Sequence, residues 1–334
     1  MSVFTRVDRA QLERFLQRFD VGELVAFKGI SEGIENTNYF VTTTGGEFVL
    51  TLIEQWPADE VPFFLDLMAW LSARGFPSAR PMAARDGSLM QSLNERPTAL
   101  VERLAGESTE EPTGADCEAV GSVLAQLHRA AEGFPQERWD RRGMAWRKQT
   151  AARLDPVLEA CDHSLLTDEI AFQCRHDFSD LPRGVIHADL FPDNVLFKNG
   201  VITGVIDFYY ACTDLLVYDV AVTVNQWCSR ADGSLEPSRA RRLLHAYNAG
   251  RPLLARERDA WIAMLRYAAL RYWLSRLKDK LFPKQGHLTT IKDPDELRVI
   301  LTARRAGQAE LLALWDEVVS AGPAAAIESA IESG

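Results

Sequence analysis

The most constraining feature of the chain is an island of short apolar runs near its middle, interrupted by a few polar residues. His187, Asn194 and Asp207 stand at the edges of these runs, and Asp189 lies between the first two of them. β-branched runs of this length predict short strands, and strands give a loop between them a rigid support. The runs occupy residues 184–187, 194–197 and 204–207.

Asp189, Asn194 and Asp207 form a set of residues that is typical of phosphoryl transfer. In such sites one Asp accepts the proton of the attacking hydroxyl, while an Asn and a second Asp hold Mg²⁺ against the triphosphate. The spacing of Asp189 and Asn194 matches the catalytic-loop pattern H-x-D-L-x-x-x-N. A hairpin with surface acids is the structural alternative, but three polar residues at matching offsets argue against it. We therefore predict Asp189 as the base, Asn194 and Asp207 as metal ligands, and His187 as a catalytic-loop residue that braces the loop.

The residues before position 104 predict a small lobe built on an antiparallel sheet. Helical spacing of apolar residues alternates there with β-branched and aromatic runs. Gly45-Gly46 and Asp86-Gly87 are expected to form the hairpin turns. We predict helices over 9–19 and 61–74 and strands over 23–28, 37–44, 47–53 and 97–104.

Helical periodicity dominates after a polar segment at 108–114. We therefore predict an α+β protein with two lobes, 1–104 and 105–334, the second of them mainly helical. The predicted helices cover 116–131, roughly 145–175, 236–248, 255–281 and 295–320.

Charge and cysteine usage exclude several classes of protein. Lys and Arg total 37 against 47 Asp and Glu, a net charge of −10, which does not suit a general nucleic-acid binder. The five cysteines include no C-x-x-C pair, which indicates reduced thiols and no zinc framework. No run approaches the ~18 apolar residues of a membrane span. We expect a soluble cytoplasmic protein with neither a nucleic-acid nor a membrane partner.

The segment from His187 to Asp207 resembles the Brenner-type motif of the aminoglycoside phosphotransferase and choline kinase group. Strings at 29–40, 207–220, 225–228 and 269–277 are similar to those of the bacterial homoserine kinases of this group. The resemblance implies a two-lobed protein-kinase-like fold, ATP and Mg²⁺ as cofactors, and phosphorylation of the L-homoserine hydroxyl. It also implies that Asp219 pins the catalytic loop.

The same resemblance points to residues that would bind the nucleotide. Backbone N–H groups of the 29–40 loop are expected to cradle phosphates, and adenine is expected to bond to the backbone near Val101 and Leu104. The loop residues concerned are Gly29, Gly33, Asn36 and Thr37. Many kinases of this fold carry a phosphate-binding Lys on the third strand, where this chain has Thr51. Lys28 is the candidate replacement, with a solvated strand-end charge as the alternative, and no ion-pairing Glu stands out on the 61–74 helix.

An acceptor with a carboxylate and an ammonium group needs charged partners, and Arg suits bidentate carboxylate capture. The candidate acceptor residues are Tyr209, Asp214, Asn225, Trp227, Arg271 and Arg276. The alternative is that the aromatic residues belong to the core and the arginines to surface ion pairs. Two other functions stay open: a kinase for choline, methylthioribose, hydroxylysine or an aminoglycoside, and a nucleotide-binding pseudokinase, which Thr51 favours.

Overall fold

A computed structural model describes residues 5–30, 36–282 and 292–320 of the chain. Its helices are α1 (Arg9–Leu16), α2 (Val61–Ala73), α3 (Gly114–Ala130), α4 (Met144–Leu154), α5 (Ala160–Gln173), α6 (Leu216–Trp227), α7 (Pro237–Gly250), α8 (Ala255–Leu281), α9 (Asp295–Ala306) and α10 (Gln308–Ser320). Its strands are β1 (Leu24–Gly29), β2 (Thr37–Thr43), β3 (Gly46–Leu52), β4 (Gln91–Leu93), β5 (Arg96–Glu102), β6 (Arg183–Ile186), β7 (Val195–Lys198), β8 (Val201–Val205) and β9 (Cys212–Leu215). Within these described ranges, no helix combines the length and the apolar character needed to cross a membrane.

The N-terminal part is a five-stranded antiparallel sheet in the order β1-β2-β3-β5-β4. Residues directly paired across strands lie on the same face of a sheet. One face carries Tyr39, Leu50 and Leu100, which form a buried cluster with α1. An Asp8–Gln11 capping box starts α1 and supports that packing.

The opposite face of the sheet turns toward the rest of the molecule. Asn38 pairs with Thr51, and Lys28 lies on the same face because it pairs with Phe40 in the adjacent row. Val101 on this face belongs to the large apolar cluster that also contains α2 and the C-terminal helices. The face with Tyr39 and Leu50 is therefore the apolar back of the sheet. The face with Asn38 and Val101 is its front, which contacts the second half of the chain.

The C-terminal part packs helices around two small antiparallel pairs, β6 with β9 and β7 with β8. α3 lies against α7 at a close approach, where a Cβ on Gly121 would meet the carbonyl of Leu243. α6 packs between α8 and the small strands. The segment that follows α2 also contacts the β7–β8 hairpin, because the Val205 N–H donates to Pro77 O at 2.7 Å. These contacts hold the hairpin β7–β8 below the front of the sheet.

Several predicted boundaries need correction. The first hairpin turns at Thr44–Gly45, since Thr43 pairs with Gly46. The hairpin that leads into β5 turns at Asn94–Glu95, both with positive φ, whereas Asp86–Gly87 makes only a local turn. The predicted helix 145–175 is interrupted around Pro156, and the predicted helix 295–320 is interrupted at Gly307. Prolines and glycines disfavour the helix interior, which explains both breaks.

Three of the described elements, β4, α6 and β9, were not predicted. α6 contains four valines, whose β-branched side chains favour strands over helices. β9 is short and has no alternation of polar and apolar residues that would mark it. The predicted 1–104 boundary stays a prediction.

Candidate active site

The loop after β6 is held by one buried carboxylate. Asp219, on α6, accepts the backbone N–H of His187 at 2.8 Å and that of Ala188 at 2.9 Å. Its Oδ2 also lies 3.1 Å from Nε2 of His128. Asp219 is completely buried, so these hydrogen bonds are screened little by water. The geometry agrees with the expected role of Asp219 in fixing the loop that carries Asp189.

Ala188 has a left-handed backbone, with φ of 60°, which costs an L-residue roughly 1–2 kcal/mol. Its N–H is bonded to Asp219, and its carbonyl accepts a hydrogen bond from the Tyr272 hydroxyl. α6 and α8 therefore grip this peptide from two sides. The strained conformation turns the chain sharply just before Asp189.

Asn194 is oriented by the residue predicted to be the base. Its side-chain Nδ2 donates to the backbone O of Asp189 at 2.8 Å and to the carboxylate Oδ2 of Asp189 at 3.2 Å. The amide group is thus turned so that its Oδ1 points away from Asp189. Two of the three predicted catalytic and metal-binding residues are therefore in direct contact.

The third residue, Asp207, is brought to the same place by the peptide before it. The N–H of Ile206 donates to Asn194 O at 3.0 Å, and the carbonyl of Ile206 lies 3.0 Å from Nε2 of His187. Asp207 itself has φ of 62°, a left-handed turn at the end of β8. A non-glycine residue in this region often marks a functional site.

His187 is completely buried and its ring packs against Phe208 with centroids 4.7 Å apart. The carbonyl of Ile206 accepts a hydrogen bond from Nε2, and within the described ranges Nδ1 has no hydrogen-bond partner. Burial lowers the pKa of His187, although Asp219 opposes this effect in part. A neutral, sealed imidazole suits the predicted bracing role, since a proton carrier needs access to the reacting groups.

The donor set fits a magnesium ion. Mg²⁺ prefers hard oxygen ligands and usually takes one or two protein groups plus phosphate oxygens and waters. Asn194 Oδ1 and the Asp207 carboxylate offer such oxygens. In the part of the chain that the structure describes, no cluster of three or more His, Cys, Asp or Glu forms a separate metal site.

Tyr209 faces the sheet side of the site. Its ring packs on Phe64 with centroids 5.5 Å apart, and its pKa is raised by burial and by the Asp207 carboxylate, with Thr51 opposing. The hydroxyl of Thr51 donates to Asn38 Oδ1 at 2.7 Å. Where many related kinases have a Lys, this chain therefore places neutral groups. Lys28 is exposed on the same face of the sheet, as the prediction requires.

The phosphate-loop candidates are distributed unevenly. Gly29 ends β1, and Gly33 lies outside the described residues. The Asn36 side chain accepts the N–H of Glu54 at 3.2 Å, and the Thr37 hydroxyl donates to the Glu54 carboxylate at 2.8 Å. Both side chains are buried, so only their backbone groups stay as candidates for phosphate binding.

The predicted adenine segment offers one open backbone position. The N–H groups of Glu102 and Arg103 donate to Arg80 O and Glu47 O, and Val101 pairs in the sheet. Across residues 5–30, 36–282 and 292–320, Leu104 has no backbone hydrogen bond. Leu104 also contacts the β7–β8 hairpin at Gly204. Its backbone is thus the better placed of the two predicted positions.

Two of the predicted acceptor residues are structural, and those predictions are wrong. Asn225 is buried and bonds to Leu265 O at 2.8 Å and to Arg304 at 2.9 Å, which ties three helices together. Trp227 is buried behind the catalytic loop and donates from Nε1 to Leu190 O at 2.8 Å. Their spacing after Asp207 gave no sign of the side of α6 on which they lie.

The remaining predicted acceptor residues differ in their surroundings. Arg276 forms an ion pair with Glu296 on α9, and Asp214 pairs with Arg183 at 3.0 Å. Burial raises the pKa of Asp214, and nearby Asp140 adds to the effect. Arg271 is the exception, because it is 4% exposed and because its neighbour in the chain, Tyr272, bonds to the loop that carries Asp189.

Sequence reasoning missed Tyr210, which lies beside Arg271, and Arg142, which bonds to Tyr210. The Arg271 guanidinium lies 5.0 Å from the ring centroid of Tyr210 and 3.8 Å from that of Tyr272. Arg142 donates to the Tyr210 hydroxyl at 2.6 Å, and its own carbonyl accepts from Arg147 at 3.0 Å. Of these residues, only Tyr210 could have been predicted from its position in the sequence, three residues after Asp207. β3 contains no lysine, and Glu60 pairs with Arg138 at 3.2 Å and with Arg141 instead.

Comparison with known proteins agrees with this geometry. The model of the phosphotransferase enzyme family matches residues 26–269. The chain belongs to the phosphotransferase enzyme family. A homoserine kinase of Methylobacillus flagellatus is 48% identical over 94% of this chain and 99% of its own length. A homoserine kinase of Pseudomonas aeruginosa is 44% identical over 91% of this chain and 97% of its own.

Solved structures of this phosphotransferase family share the fold. Spectinomycin phosphotransferase in complex with ADP and spectinomycin has a TM-score of 0.69 and 14% identity, covering 91% of this chain and 99% of its own. The small antiparallel sheet and the mainly helical C-terminal part are therefore the two lobes of a kinase-like α+β fold. The predicted fold class is confirmed, and the chain is a phosphotransferase enzyme.

Proposed function

We propose that this protein is a cytoplasmic homoserine kinase of threonine biosynthesis. It transfers the γ-phosphoryl group of ATP to the side-chain hydroxyl of L-homoserine and forms O-phospho-L-homoserine. The observation that carries the proposal is the joined set of Asp189, Asn194 and Asp207, in a chain 48% identical to a homoserine kinase over almost its whole length.

Asp189 orients the attacking hydroxyl and accepts its proton. The transition state of phosphoryl transfer is loose, so positioning contributes more than a strongly shifted basicity. Asn194 holds the carboxylate of Asp189 through its Nδ2, and Asp219 and Tyr272 hold the peptide just before it. The base is thus fixed from three sides before the substrates arrive.

Asn194 Oδ1 and the Asp207 carboxylate would hold Mg²⁺. When bound, the ion neutralises charge that develops on the transferred group. His187 and Asn194 hold the Ile206 peptide, and this sets the position of Asp207. The loop that positions the base Asp189 therefore also positions both predicted metal ligands.

The nucleotide would lie between the sheet and the catalytic loop. Backbone groups of Gly29, Asn36 and Thr37, together with Gly33, would contact the phosphates, and Lys28 would supply the positive charge that β3 lacks. The Leu104 backbone would bond adenine, beside Val101. ADP in the similar spectinomycin phosphotransferase supports an adenine nucleotide as donor.

The test is ADP release from Mg-ATP by the purified protein with one acceptor at a time. The panel contains L-homoserine, choline, methylthioribose, hydroxylysine and an aminoglycoside, each measured against a blank without acceptor. We expect selective turnover with L-homoserine. Preference for another acceptor would refute the substrate, and ATP binding without turnover on any acceptor would identify a pseudokinase.

A pair of variants on one loop separates the role of the base from general damage. Asp189→Asn removes the proton acceptor, and we expect turnover to fall by roughly 10²–10⁴-fold. Asp193→Asn alters an exposed carboxylate of the same loop, which is paired with Lys292 at 2.7 Å, and should retain most activity. Equal losses in the two variants would contradict the assignment of Asp189.

A further inference from the structure

Arg271 differs from the other buried arginines of the described residues. Arg266 pairs with Glu169 at 2.6 Å, and Arg304 bonds to Asn225 and to two further groups. Arg147 donates to the carbonyls of Arg142 and Tyr267. In the same described ranges Arg271 makes neither a hydrogen bond nor an ion pair within 4.0 Å, and the rings of Tyr210 and Tyr272 lie against its guanidinium.

A buried charge without a hydrogen-bonded partner is costly, and native proteins rarely retain one without a reason. The rings of Tyr210 and Tyr272 offer cation–π contacts, which leave the in-plane N–H donors of the guanidinium unused. The N–H donors of Arg271 are therefore available to bind an anion that the chain itself does not supply.

The position of Arg271 identifies which substrate it meets. Tyr209 contacts Phe64 of α2 and lies near Thr51 of β3. The Tyr210 hydroxyl accepts from Arg142, and the Tyr210 ring lies near Trp56 and 5.0 Å from the Arg271 guanidinium of α8. The sheet side is where the nucleotide would lie. Arg271 thus lies on the α8 side of the site, beside the catalytic loop, because its neighbour Tyr272 bonds to the carbonyl of Ala188.

Tyr272 fixes this stretch of α8 to the catalytic loop. Its hydroxyl donates to the carbonyl of Ala188, the residue before the base. Arg271, its neighbour in the chain, is therefore held at a constant distance from the hydroxyl that Asp189 would orient. A planar guanidinium matches a carboxylate in a bidentate manner, which an ammonium group does not.

We propose that Arg271 binds the α-carboxylate of the acceptor and so makes this kinase specific for an amino acid rather than an amino alcohol. This inference rests on the proposed function and deepens it. Arg142 holds the Tyr210 ring on one face of the subsite, and Tyr272 provides the other.

The test compares two acceptors in the wild-type protein and in variants of α8. 3-Amino-1-propanol keeps the hydroxyl and the ammonium group of L-homoserine and lacks only the carboxylate. The variants are Arg271→Met, Arg271→Lys and the control Arg256→Met, which changes an exposed arginine of the same helix. Each combination gives kcat, the KM for the acceptor and the KM for Mg-ATP.

We expect the wild-type protein to prefer L-homoserine by roughly 10²–10³-fold in kcat/KM, as two charge-assisted hydrogen bonds would give. Arg271→Met should lose most of this preference, through the KM for L-homoserine, with less than about a fivefold change for 3-amino-1-propanol. Arg271→Lys should restore part of the preference, and Arg256→Met should resemble the wild type.

Three results would overturn the proposal. Equal kcat/KM for both acceptors would exclude a carboxylate subsite, and this measurement uses the wild-type protein alone. Parallel losses for both acceptors in Arg271→Met would show that Arg271 acts on Asp189 or on the fold, and a raised KM for Mg-ATP would place it at the phosphates. Absence of any turnover of L-homoserine by the wild type would instead refute the proposed function itself.

Discussion

Replacing Asp219 with asparagine tests how the catalytic loop is held. The two carboxylate oxygens accept the N–H groups of His187 and Ala188 at 2.8 and 2.9 Å. Asparagine keeps one of these oxygens and puts an NH₂ group opposite the other N–H. The variant therefore loses one charge-assisted hydrogen bond and leaves a buried donor unpaired.

The expected loss in the free energy of unfolding follows from these contacts. A hydrogen bond to a charged group contributes about 1.5–3 kcal/mol, and an unpaired buried donor costs a similar amount. We expect Asp219→Asn to lose about 3 kcal/mol and Asp219→Ala, which leaves both N–H groups unpaired, to lose about 5 kcal/mol. Urea denaturation with an unchanged slope measures both values.

Turnover should fall further than stability predicts, because Asp219 also sets the position of Asp189. We expect kcat of Asp219→Asn to fall at least ~10-fold at a temperature where the variant is folded. The control is Asp232→Asn, an exposed carboxylate that accepts the Ser234 N–H at 2.9 Å and should change stability by less than about 0.5 kcal/mol. A loss below about 1 kcal/mol for Asp219→Asn, or an unchanged kcat, would refute the reasoning.

Three further predictions concern the metal, the buried histidine and the phosphate side. Asp207→Ala should reduce kcat by at least ~10³-fold and abolish the Mg²⁺-dependent part of the thermal shift caused by ATP, because a metal ligand is lost; retention of that shift would contradict it. Burial lowers the pKa of His187, so its contribution to stability is full above about pH 6.5 and is lost as the pH falls toward the folded pKa. Urea titrations from pH 7.5 to 5 give the free energy of unfolding as a function of pH. Its slope should be smaller in His187→Gln than in the wild type by up to ~1.4 kcal/mol per pH unit, and equal slopes would show that His187 does not contribute. Lys28→Met should raise the KM for Mg-ATP about 10-fold and leave the KM for L-homoserine unchanged, as expected for one lost phosphate contact; an unchanged KM for Mg-ATP would mean a solvated surface charge.

The fold was predictable where local chemistry decides the backbone. The bounds of α8 agree with the predicted 255–281, since its length and its flanks leave little choice. The turn at Asn94–Glu95 was missed because Glu rarely adopts a positive φ, and register with β5 imposes it. α6 was missed because its four valines have β-branched side chains, which favour a strand over a helix.

The candidate site shows the same division between local and distant information. Asp189, Asn194 and Asp207 belong to one segment of the sequence, so their spacing predicted that they lie close together. Asn194 bonds to Asp189 and to Ile206, the residue before Asp207. The surroundings of Arg271 come from the loop before α4, from α8 and from the turn after β8, which no sequence spacing connects. Asn225 and Trp227 were wrongly placed for the same reason, because only packing decides which way a residue of a buried helix faces.

Transfer of a phosphoryl group to the hydroxyl of L-homoserine is tested most directly by identifying the product. Proton-coupled ³¹P NMR of a reaction with Mg-ATP and L-homoserine should show a phosphate monoester split into a triplet by the neighbouring CH₂ protons. Its amount should equal that of the ADP formed. Inorganic phosphate as the sole new phosphorus species, or a phosphate carried on the carboxylate or the amine, would contradict the proposed function.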